Sequence, residues 1–234
     1  MQKTDSKIIV ALDYADINIA MDFVEQITPE LCKLKVGKEM FTRFGPDFVT
    51  SLTKAGYDVF LDLKFHDIPV TVAKACEAAS DLGVWMMNVH AQGGVRMMEA
   101  AKNALVNNNS QSHLIAVTVL TSMAQLDLKI LGITQKPSEY ALSLAKLSEQ
   151  AGLNGIVCSA QEAEIMRENF SDDFLLVTPG IRPTGSDADD QRRIMTPVDA
   201  LAAGSNYLVI GRPITKSDDP AGVLRTINSE ISDY

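Results

Sequence analysis

The sequence lacks the features that mark secreted, membrane or disulfide-bonded proteins. It contains three cysteines, an odd number without metal-ligand spacing: Cys32, Cys76 and Cys158. We expect them to be reduced residues of a cytoplasmic protein. The apolar run nearest the N-terminus, Ile8 to Leu12, stops at Asp13. That run is too short for a signal peptide or a membrane span, so we expect no membrane association.

Positive charge is also scarce. The chain has 21 Lys and Arg against 30 Asp and Glu, which gives a formal net charge of -9 at pH 7. A nucleic-acid-binding domain usually carries a basic face, so this balance argues against nucleic acid as a partner. The same field repels anions, and an anionic substrate must therefore be held by local Lys and Arg. The hydrophobic content of 46% and charged content of 22% are those of an ordinary globular protein.

No linker, low-complexity run or repeat divides the chain, so we expect a single domain over residues 1–234. Short apolar runs of strand length alternate with longer helical patterns. The predicted strands are Ile8 to Leu12, Leu31 to Val36, Tyr57 to Leu63, Trp85 to Val89, Leu114 to Leu120, Gly155 to Cys158, Phe174 to Val177 and Tyr207 to Ile210. The predicted helices are Ile17 to Ile27, Lys38 to Lys54, Val70 to Leu82, Val95 to Val106, Glu139 to Ala151, Gln161 to Asn169, Asp199 to Ala203 and Ala221 to Ile231.

This alternation predicts right-handed βαβ units and a parallel sheet. Eight such units predict an α/β fold of the (β/α)8 TIM barrel type, with eight parallel strands. A doubly wound sheet is the alternative. The first predicted strand is followed by Leu12-Asp13-Tyr14-Ala15-Asp16 instead of Gly-x-Gly-x-x-Gly, which favours the barrel.

The segment from Val59 to Thr71 places three charges where an apolar strand should end and a helix begin. Because strand side chains alternate between faces, Asp62 and Lys64 should share one face, an acid beside a base. Asp67 follows the strand and precedes a helix start that contains Pro69. Its carboxylate can cap that helix, reach the same site as Lys64, or reach the site of a neighbouring subunit.

Charged residues also end the neighbouring strands. In barrel enzymes the active site lies at the carboxyl ends of the strands, where Asp13, Lys35, Asp62 and Lys64 are expected to meet. Each has a structural alternative when taken alone: a helix cap for Asp13, a lysine lying along apolar surface for Lys35, and an ion pair for the other two. Together they predict a charged active site. His90, at the end of the fourth strand, can hydrogen-bond this network or support it.

Glycine and arginine follow the last two predicted strands: Gly180 and Arg182 after the seventh, and Gly211 and Arg212 after the eighth. Glycine lets the backbone approach an anion, and arginine can bind it through two nitrogens. Barrels commonly hold phosphate at this position, so we predict a phosphate site there, with a surface role for Arg212 as the alternative. The irregular segment Pro179 to Pro197 is of a length that, in compact domains, usually indicates a lid or a disordered loop.

The segment Asp62-Leu63-Lys64-Phe65-His66-Asp67-Ile68-Pro69-Val70-Thr71 resembles the signature of the orotidine 5′-monophosphate decarboxylase family, Asp-x-Lys-x-x-Asp-Ile-Pro/Gly-x-Thr. The resemblance extends over the whole chain. It includes Ala11-Leu12-Asp13, Lys33-Leu34-Lys35-Val36-Gly37, Val119-Leu120-Thr121-Ser122, Thr178-Pro179-Gly180-Ile181-Arg182 and Ile210-Gly211-Arg212-Pro213-Ile214. Asp-x-Lys-x-x-Asp alone is shared with related sugar-phosphate decarboxylases and aldolases.

The resemblance implies decarboxylation of orotidine 5′-monophosphate to uridine 5′-monophosphate, the last step of de novo UMP synthesis, with no cofactor and no metal. It makes Lys64 the group that stabilises negative charge at C6 of the pyrimidine and then protonates it. Asp62 and Asp67 would hold the Lys64 ammonium, and Lys35 would balance the charge of Asp62.

The resemblance also implies the residues that bind the substrate. Asp13 and Lys35 would bind the ribose hydroxyls, and Thr121 would lie on the pyrimidine side. The phosphate side would be formed by Arg182, Gln191, Gly211 and Arg212. A homodimer with shared active sites is implied as well, because three residues would reach the partner's site: Asp67, Ile68 and Thr71.

Two other functions remain open on the sequence alone. One is a magnesium-dependent 3-keto-gulonate phosphate decarboxylase or hexulose phosphate synthase, against which Ile68-Pro69 and the long lid with Gln191 speak. The other is a phosphate-binding barrel without catalytic activity, acting as a binding module.

Overall fold

The chain folds into a closed barrel in a computed structural model that describes residues 6–183 and 194–234. Eight strands follow one another around the barrel in chain order, and every pairing between neighbours is parallel. The strands are β1 (Ile8–Leu12), β2 (Lys33–Gly37), β3 (Val59–Phe65), β4 (Met86–His90), β5 (His113–Val117), β6 (Gly155–Val157), β7 (Leu175–Thr178) and β8 (Tyr207–Ile210). The prediction of an eight-stranded parallel barrel is confirmed, and the doubly wound alternative is wrong.

Helices connect the strands and cover the outside of the barrel. They are α1 (Ile17–Val24), α2 (Lys38–Lys54), α3 (Pro69–Ser80), α4 (Val95–Asn107), α5 (Gln125–Ile130), α6 (Pro137–Gln150), α7 (Ala163–Arg167), α8 (Pro197–Ala202), α9 (Arg212–Thr215) and α10 (Pro220–Glu230). Short 3-10 turns, Ala91–Gly93 and Ala160–Glu162, precede α4 and α7. Within the described ranges, no helix combines the length and the apolar character needed to cross a membrane.

The predicted elements overlap those of the structure, with three corrections that affect the site. The third strand runs to Phe65 and not to Leu63, so Lys64 lies within it. The fifth strand ends at Val117 and not at Leu120, so the residues that follow belong to a loop at the barrel mouth. The helices α5 and α9 were not predicted. Both are short, and α9 forms a single turn after Gly211. At the start of α5 the backbone N–H of Ala124 donates to the Asp127 carboxylate.

Strand alternation divides the apolar core into two layers. Residues such as Val59 and Leu61 point outward and pack between the barrel and its helices. Their neighbour Phe60 points inward, where it packs with the residues of a second, smaller apolar cluster that fills the barrel interior. That cluster consists of Ile9, Ala11, Met86, Ile115, Val177, Tyr207 and Val209. The barrel interior is therefore a packed core and not a channel.

The two lysines of β2 lie on the same inward face but at opposite ends of the barrel. Lys33, near the amino end, pairs with Asp58 at 3.0 Å and lies 4.6 Å from the centre of the Trp85 ring. The ion pair and the contact with the aromatic ring offset the cost of removing the Lys33 ammonium group from water. Lys35, two residues further on, reaches the carboxyl end, where the site is built.

Candidate active site

Charged residues from the first three strands meet at the carboxyl end of the barrel. The Nζ of Lys35 lies 3.4 Å from Oδ2 of Asp62 and 3.8 Å from Oδ1 of Asp13. The Nζ of Lys64 lies 2.6 Å from Oδ1 of Asp62. The result is a row of alternating charge. Asp13 does not cap the next helix, because the N-cap of α1 is Asp16, so the capping alternative for Asp13 is wrong.

Asp62 is the centre of this row, and its side chain is 13% exposed. Burial opposes its ionisation, but the charges of Lys35 and Lys64, together with hydrogen bonds from Lys64 and Asn88, outweigh that effect and lower the pKa of Asp62. The carboxylate therefore stays ionised well into the acid range. Both of its oxygens face ammonium groups, which fixes its orientation.

Lys64 reaches the site from an unusual backbone conformation. Its φ is 54°, in the left-handed region that favours glycine, and the register between β3 and β4 shifts between Leu61 and Phe65. Regular strand alternation therefore explains why Phe60 and Asp62 face the barrel interior, but it does not extend to Lys64. The lysine still points to the same side as Asp62, through a local change of the backbone.

Asn88 on β4 joins this arrangement and was not singled out in the sequence. Its Nδ2 donates to Oδ1 of Asp62 at 2.7 Å, and its Oδ1 accepts from the backbone N–H of Lys64 at 2.7 Å. The side chain is fully buried. The available signal was its position on β4, two residues after the inward-facing Met86, which places a polar amide on the inner face near the end of the strand.

His90 lies beside the network. Its ring centre is 5.6 Å from that of His66, which is exposed. Burial, and then the positive charges of His66, Lys38 and Lys64, lower the pKa of His90 to about 4. The ring is therefore neutral at pH 7. Its buried Nδ1 has no hydrogen-bond partner within residues 6–183 and 194–234, so this nitrogen does not bond the charged network.

Lys35, Asp62 and Lys64 line a small cavity of about 190 Å³ at the barrel mouth. Most of its other walls are apolar. They are Phe60, Val117, Val119, Leu120, Val157, Cys158, Pro179 and Val209, and Thr121 supplies a hydroxyl. Charges that face an apolar cavity act in a lower effective dielectric than water, so each exerts a stronger field on a group bound there.

A second cavity, of about 540 Å³, adjoins the first, and both are lined by Lys35, Pro179 and Val209. Its walls carry cations and glycines from the loops after β7 and β8. They include Gly180, Arg182, Gly211, Arg212 and Lys216, as well as Asp13 and Tyr14. Lys216 was not predicted; the signal was a cation shortly after the eighth strand. The two cavities meet at Lys35, which pairs with Asp13 in the wall of the larger cavity and with Asp62 in the wall of the smaller one.

Arg182 and Arg212 occupy this cationic end in different ways. Arg182 is buried, and its Nη1 donates to the carbonyl of Ile181 at 3.0 Å. Arg212 is half-buried and begins α9. Gln191, assigned to the phosphate side in the sequence, lies outside the described residues, as does the middle of the segment from Pro179 to Pro197.

The residues after β3 are exposed in the single chain. Asp67 accepts a hydrogen bond from the backbone N–H of Ile68 at 2.6 Å. The N-cap of α3 is Ile68, so the interpretation of Asp67 as the N-cap is wrong. In the part of the chain that the structure describes, no ion pair joins Asp67 to Lys64. Ile68 and Val70 are 62% and 63% exposed, and Thr71 is exposed as well.

Within the described residues, no group of three or more His, Cys, Asp and Glu side chains is arranged to hold a metal ion. The acidic groups at the mouth are instead paired with lysines. The arrangement can bind an elongated anion whose reacting part lies beside Lys64, and it can stabilise negative charge that develops there.

Comparisons with known proteins agree with this geometry. The sequence profile of the orotidine 5′-phosphate decarboxylase / HUMPS family matches residues 6–227. The chain is 60% identical over 232 residues to the orotidine 5′-phosphate decarboxylase of Escherichia fergusonii, covering 99% of this chain and 95% of that protein. It is 60% identical over 226 residues to the one from Pseudoalteromonas translucida, covering 96% and 97%.

Solved structures give the same result. The crystal structure of orotidine 5′-phosphate decarboxylase from Lactobacillus acidophilus matches with a TM-score of 0.87 and 37% identity, over 97% of this chain and 99% of that one. An uncharacterised conserved protein from Geobacillus kaustophilus matches with a TM-score of 0.83 and 36% identity, over 96% and 99%.

Proposed function

The chain belongs to the orotidine 5′-phosphate decarboxylase / HUMPS family, and we propose that it converts orotidine 5′-phosphate to uridine 5′-monophosphate and CO2 without a metal or cofactor. It is an enzyme, a carboxy-lyase. In this proposal Lys64 donates the proton to C6, and the reaction supplies UMP to pyrimidine biosynthesis in the cytoplasm. The chain acts as one barrel domain.

The observation that carries the proposal is the pairing of Lys64 with a largely buried, ionised Asp62 at the wall of a mostly apolar cavity. Loss of CO2 from C6 leaves a lone pair in the plane of the pyrimidine ring, where the ring carbonyls cannot readily delocalise it. A positive charge beside that carbon is therefore needed. The Lys64 ammonium supplies this charge and then the proton.

One charge is not enough for the whole rate enhancement. At an effective dielectric near 20, a unit charge about 4 Å away contributes roughly 4 kcal/mol, or about 10³-fold in rate. The remaining stabilisation comes from a preorganised network. Lys35 and Lys64 keep Asp62 ionised, and Asp62 holds Lys64 in place, so little reorganisation is needed during the reaction.

The larger cavity supports the assignment of the substrate's remote groups. Lys35, which lines both cavities, and Asp13, which lines the larger one, bind the ribose hydroxyls, and Thr121 lies on the pyrimidine side. The phosphate is bound by Arg182, Gln191, Gly211 and Arg212, where Gln191 rests on the family resemblance alone. Binding energy from the phosphate is then used to hold C6 against Lys64, aided by closure of the segment from Pro179 to Pro197.

We propose a homodimer with shared active sites as part of the same function. Asp67, Ile68 and Thr71 are exposed in one chain, and in the dimer they reach the site of the partner subunit. Support comes from the exposed apolar side chains of Ile68 and Val70, which would be covered by a second copy. In this arrangement the partner's Asp67 is the second carboxylate that holds Lys64.

The test is an assay of purified protein with orotidine 5′-phosphate in the presence of EDTA, following loss of the orotate chromophore. A parallel assay uses 3-keto-gulonate phosphate with added Mg²⁺. We expect the nucleotide to turn over at the same rate with and without EDTA. Loss of turnover in EDTA, restored by Mg²⁺, would contradict the cofactor-free mechanism. Binding of UMP without any turnover would identify a binding module.

A further inference from the structure

We infer that Asn88 is a positioning residue that fixes the backbone of Lys64 and the carboxylate of Asp62 with a single side chain. Its kinetic consequence rests on the proposed decarboxylase function; its structural consequence does not. Asn88 does not line the cavity beside Lys64, and it is fully buried. It therefore acts through the two residues it contacts and not on the substrate.

Three hydrogen bonds link Asn88, Asp62 and Lys64 to one another in a ring. Its carbonyl oxygen accepts from the backbone N–H of Lys64 at 2.7 Å, and its amide nitrogen donates to Oδ1 of Asp62 at 2.7 Å. The same Oδ1 accepts from Nζ of Lys64 at 2.6 Å. Lys64 is thus tied to this pair at both ends, through its backbone nitrogen and through its ammonium group.

The carboxamide is suited to this position because it has an acceptor and a donor in one plane. A carboxylate could accept from the Lys64 N–H, but it would repel Asp62. An aliphatic side chain of similar size could do neither, and would leave the backbone N–H of Lys64 without its acceptor.

The backbone around Lys64 needs this acceptor. The φ of 54° at Lys64 is unfavourable for a residue with a side chain. The shift in register between Leu61 and Phe65 interrupts the regular ladder to β4 at this point. The side chain of Asn88 takes over the role of a ladder acceptor there, and so stabilises the conformation that directs Lys64 to Asp62.

The chain uses asparagine in the same manner at two places far from the site. Oδ1 of Asn154 accepts from the backbone N–H of Leu114 at 3.0 Å, and Oδ1 of Asn206 accepts from that of Leu176 at 2.7 Å. Both lie at the amino ends of strands. They tie neighbouring strands together as Asn88 does, but at the opposite end of the barrel from Lys64, which makes them matched controls.

The test compares Asn88→Ala and Asn88→Asp with Asn154→Ala and Asn206→Ala in the full-length protein. With orotidine 5′-phosphate, we expect kcat of the Asn88 variants to fall about 10- to 100-fold. KM and the affinity for UMP should stay nearly unchanged, because the phosphate and ribose groups bind elsewhere. The control variants should lower the melting temperature without lowering kcat. An unchanged kcat in both Asn88 variants, or a loss confined to KM, overturns the inference.

The pH profile separates positioning from a general structural role. In Asn88→Asp the new carboxyl group faces Asp62 and Lys64 of β3, with Lys35 of β2 and His90 of β4 near the pair. When protonated, it can again donate to Asp62 and accept from the Lys64 N–H. The ratio of its kcat to that of the wild type should therefore rise as the pH falls, whereas the ratio for Asn88→Ala stays flat. A flat ratio for both variants contradicts the inference.

A crystal structure of Asn88→Ala at neutral pH, in which the Lys64 N–H has lost its acceptor, provides a readout that does not depend on activity. We expect the Lys64 backbone to leave the left-handed region and its Nζ to move away from Asp62. If the wild type fails to decarboxylate orotidine 5′-phosphate, the proposed function fails, but this structure still decides the inference. An unchanged Lys64 conformation and an intact contact with Asp62 in the variant would overturn it.

Discussion

Lys64 lies 2.6 Å from Asp62 although its backbone is not that of a regular strand. The contact joins the group that we propose as the proton donor to a carboxylate that stays ionised because Lys35 approaches its other oxygen. This relationship explains how a chain with a net charge of -9 can present a fixed positive charge to an anionic substrate.

The sharing of active sites predicts complementation between two inactive variants. Lys64→Ala and Asp67→Ala homodimers should both be nearly inactive, but each mixed dimer holds one site with both residues intact. After random mixing, the activity should reach about a quarter of that of the wild type, because about half of the dimers are mixed. The measurement is kcat after subunit exchange of differently tagged variants. No gain in purified mixed dimers would show that Asp67 acts within its own chain.

Removal of the Arg212 guanidinium should weaken use of the substrate. A hydrogen bond to a charged group contributes about 1.5–3 kcal/mol, so we expect kcat/KM of Arg212→Ala to fall roughly 10- to 150-fold. The matched control is Arg225→Ala, because Arg225 is exposed and lies 3.9 Å from Asp219 on the outside of the barrel. Equal kcat/KM values for the two variants would argue for a surface role of Arg212.

Burial of neutral His90 should make the protein less stable in mild acid. The unfolded chain binds the imidazole proton near the ordinary pKa of 6.5, whereas the folded protein binds it only near 4. The unfolded state therefore holds more protons between these values, and the free energy of unfolding falls as the pH is lowered from about 6.5 to about 4.

Urea unfolding of the wild type and His90→Gln checks this relation at several pH values. Above about pH 7 the imidazole is neutral in both the folded and the unfolded state. Position 90 should therefore add no pH dependence to the free energy of unfolding of either protein in that range. Below that, the variant should lose less stability than the wild type. Equal slopes of unfolding free energy against pH would contradict the assignment.

Much of the fold followed from the sequence because strand alternation and the order of elements are local properties. Alternation separated Phe60 from Val59 and Leu61, and the rule that barrel sites lie at the carboxyl ends of strands located Asp13, Lys35 and Asp62. These side chains meet because parallel strands bring their ends to one rim.

The remaining features depend on contacts between distant parts of the chain. The left-handed backbone of Lys64 is compensated by Asn88, which lies on another strand, so neither residue alone reveals it. Lys216 lines the larger cavity because the single turn of α9, which it follows, lies at the mouth of the barrel. The prediction for Asp67 depends on a second subunit and stays a prediction.

The most direct test of the central claim is the kcat of Lys64→Ala with orotidine 5′-phosphate, measured together with the dissociation constant for UMP. Lys35 remains to pair with Asp62 in this variant, so the barrel should fold. Lys74→Ala, which removes a lysine from an exposed pair with Glu77, serves as the control. We predict that kcat of Lys64→Ala falls at least about 10³-fold, while UMP still binds and the control keeps full activity. A kcat of Lys64→Ala close to that of the wild type would contradict the role of Lys64 as charge and proton donor.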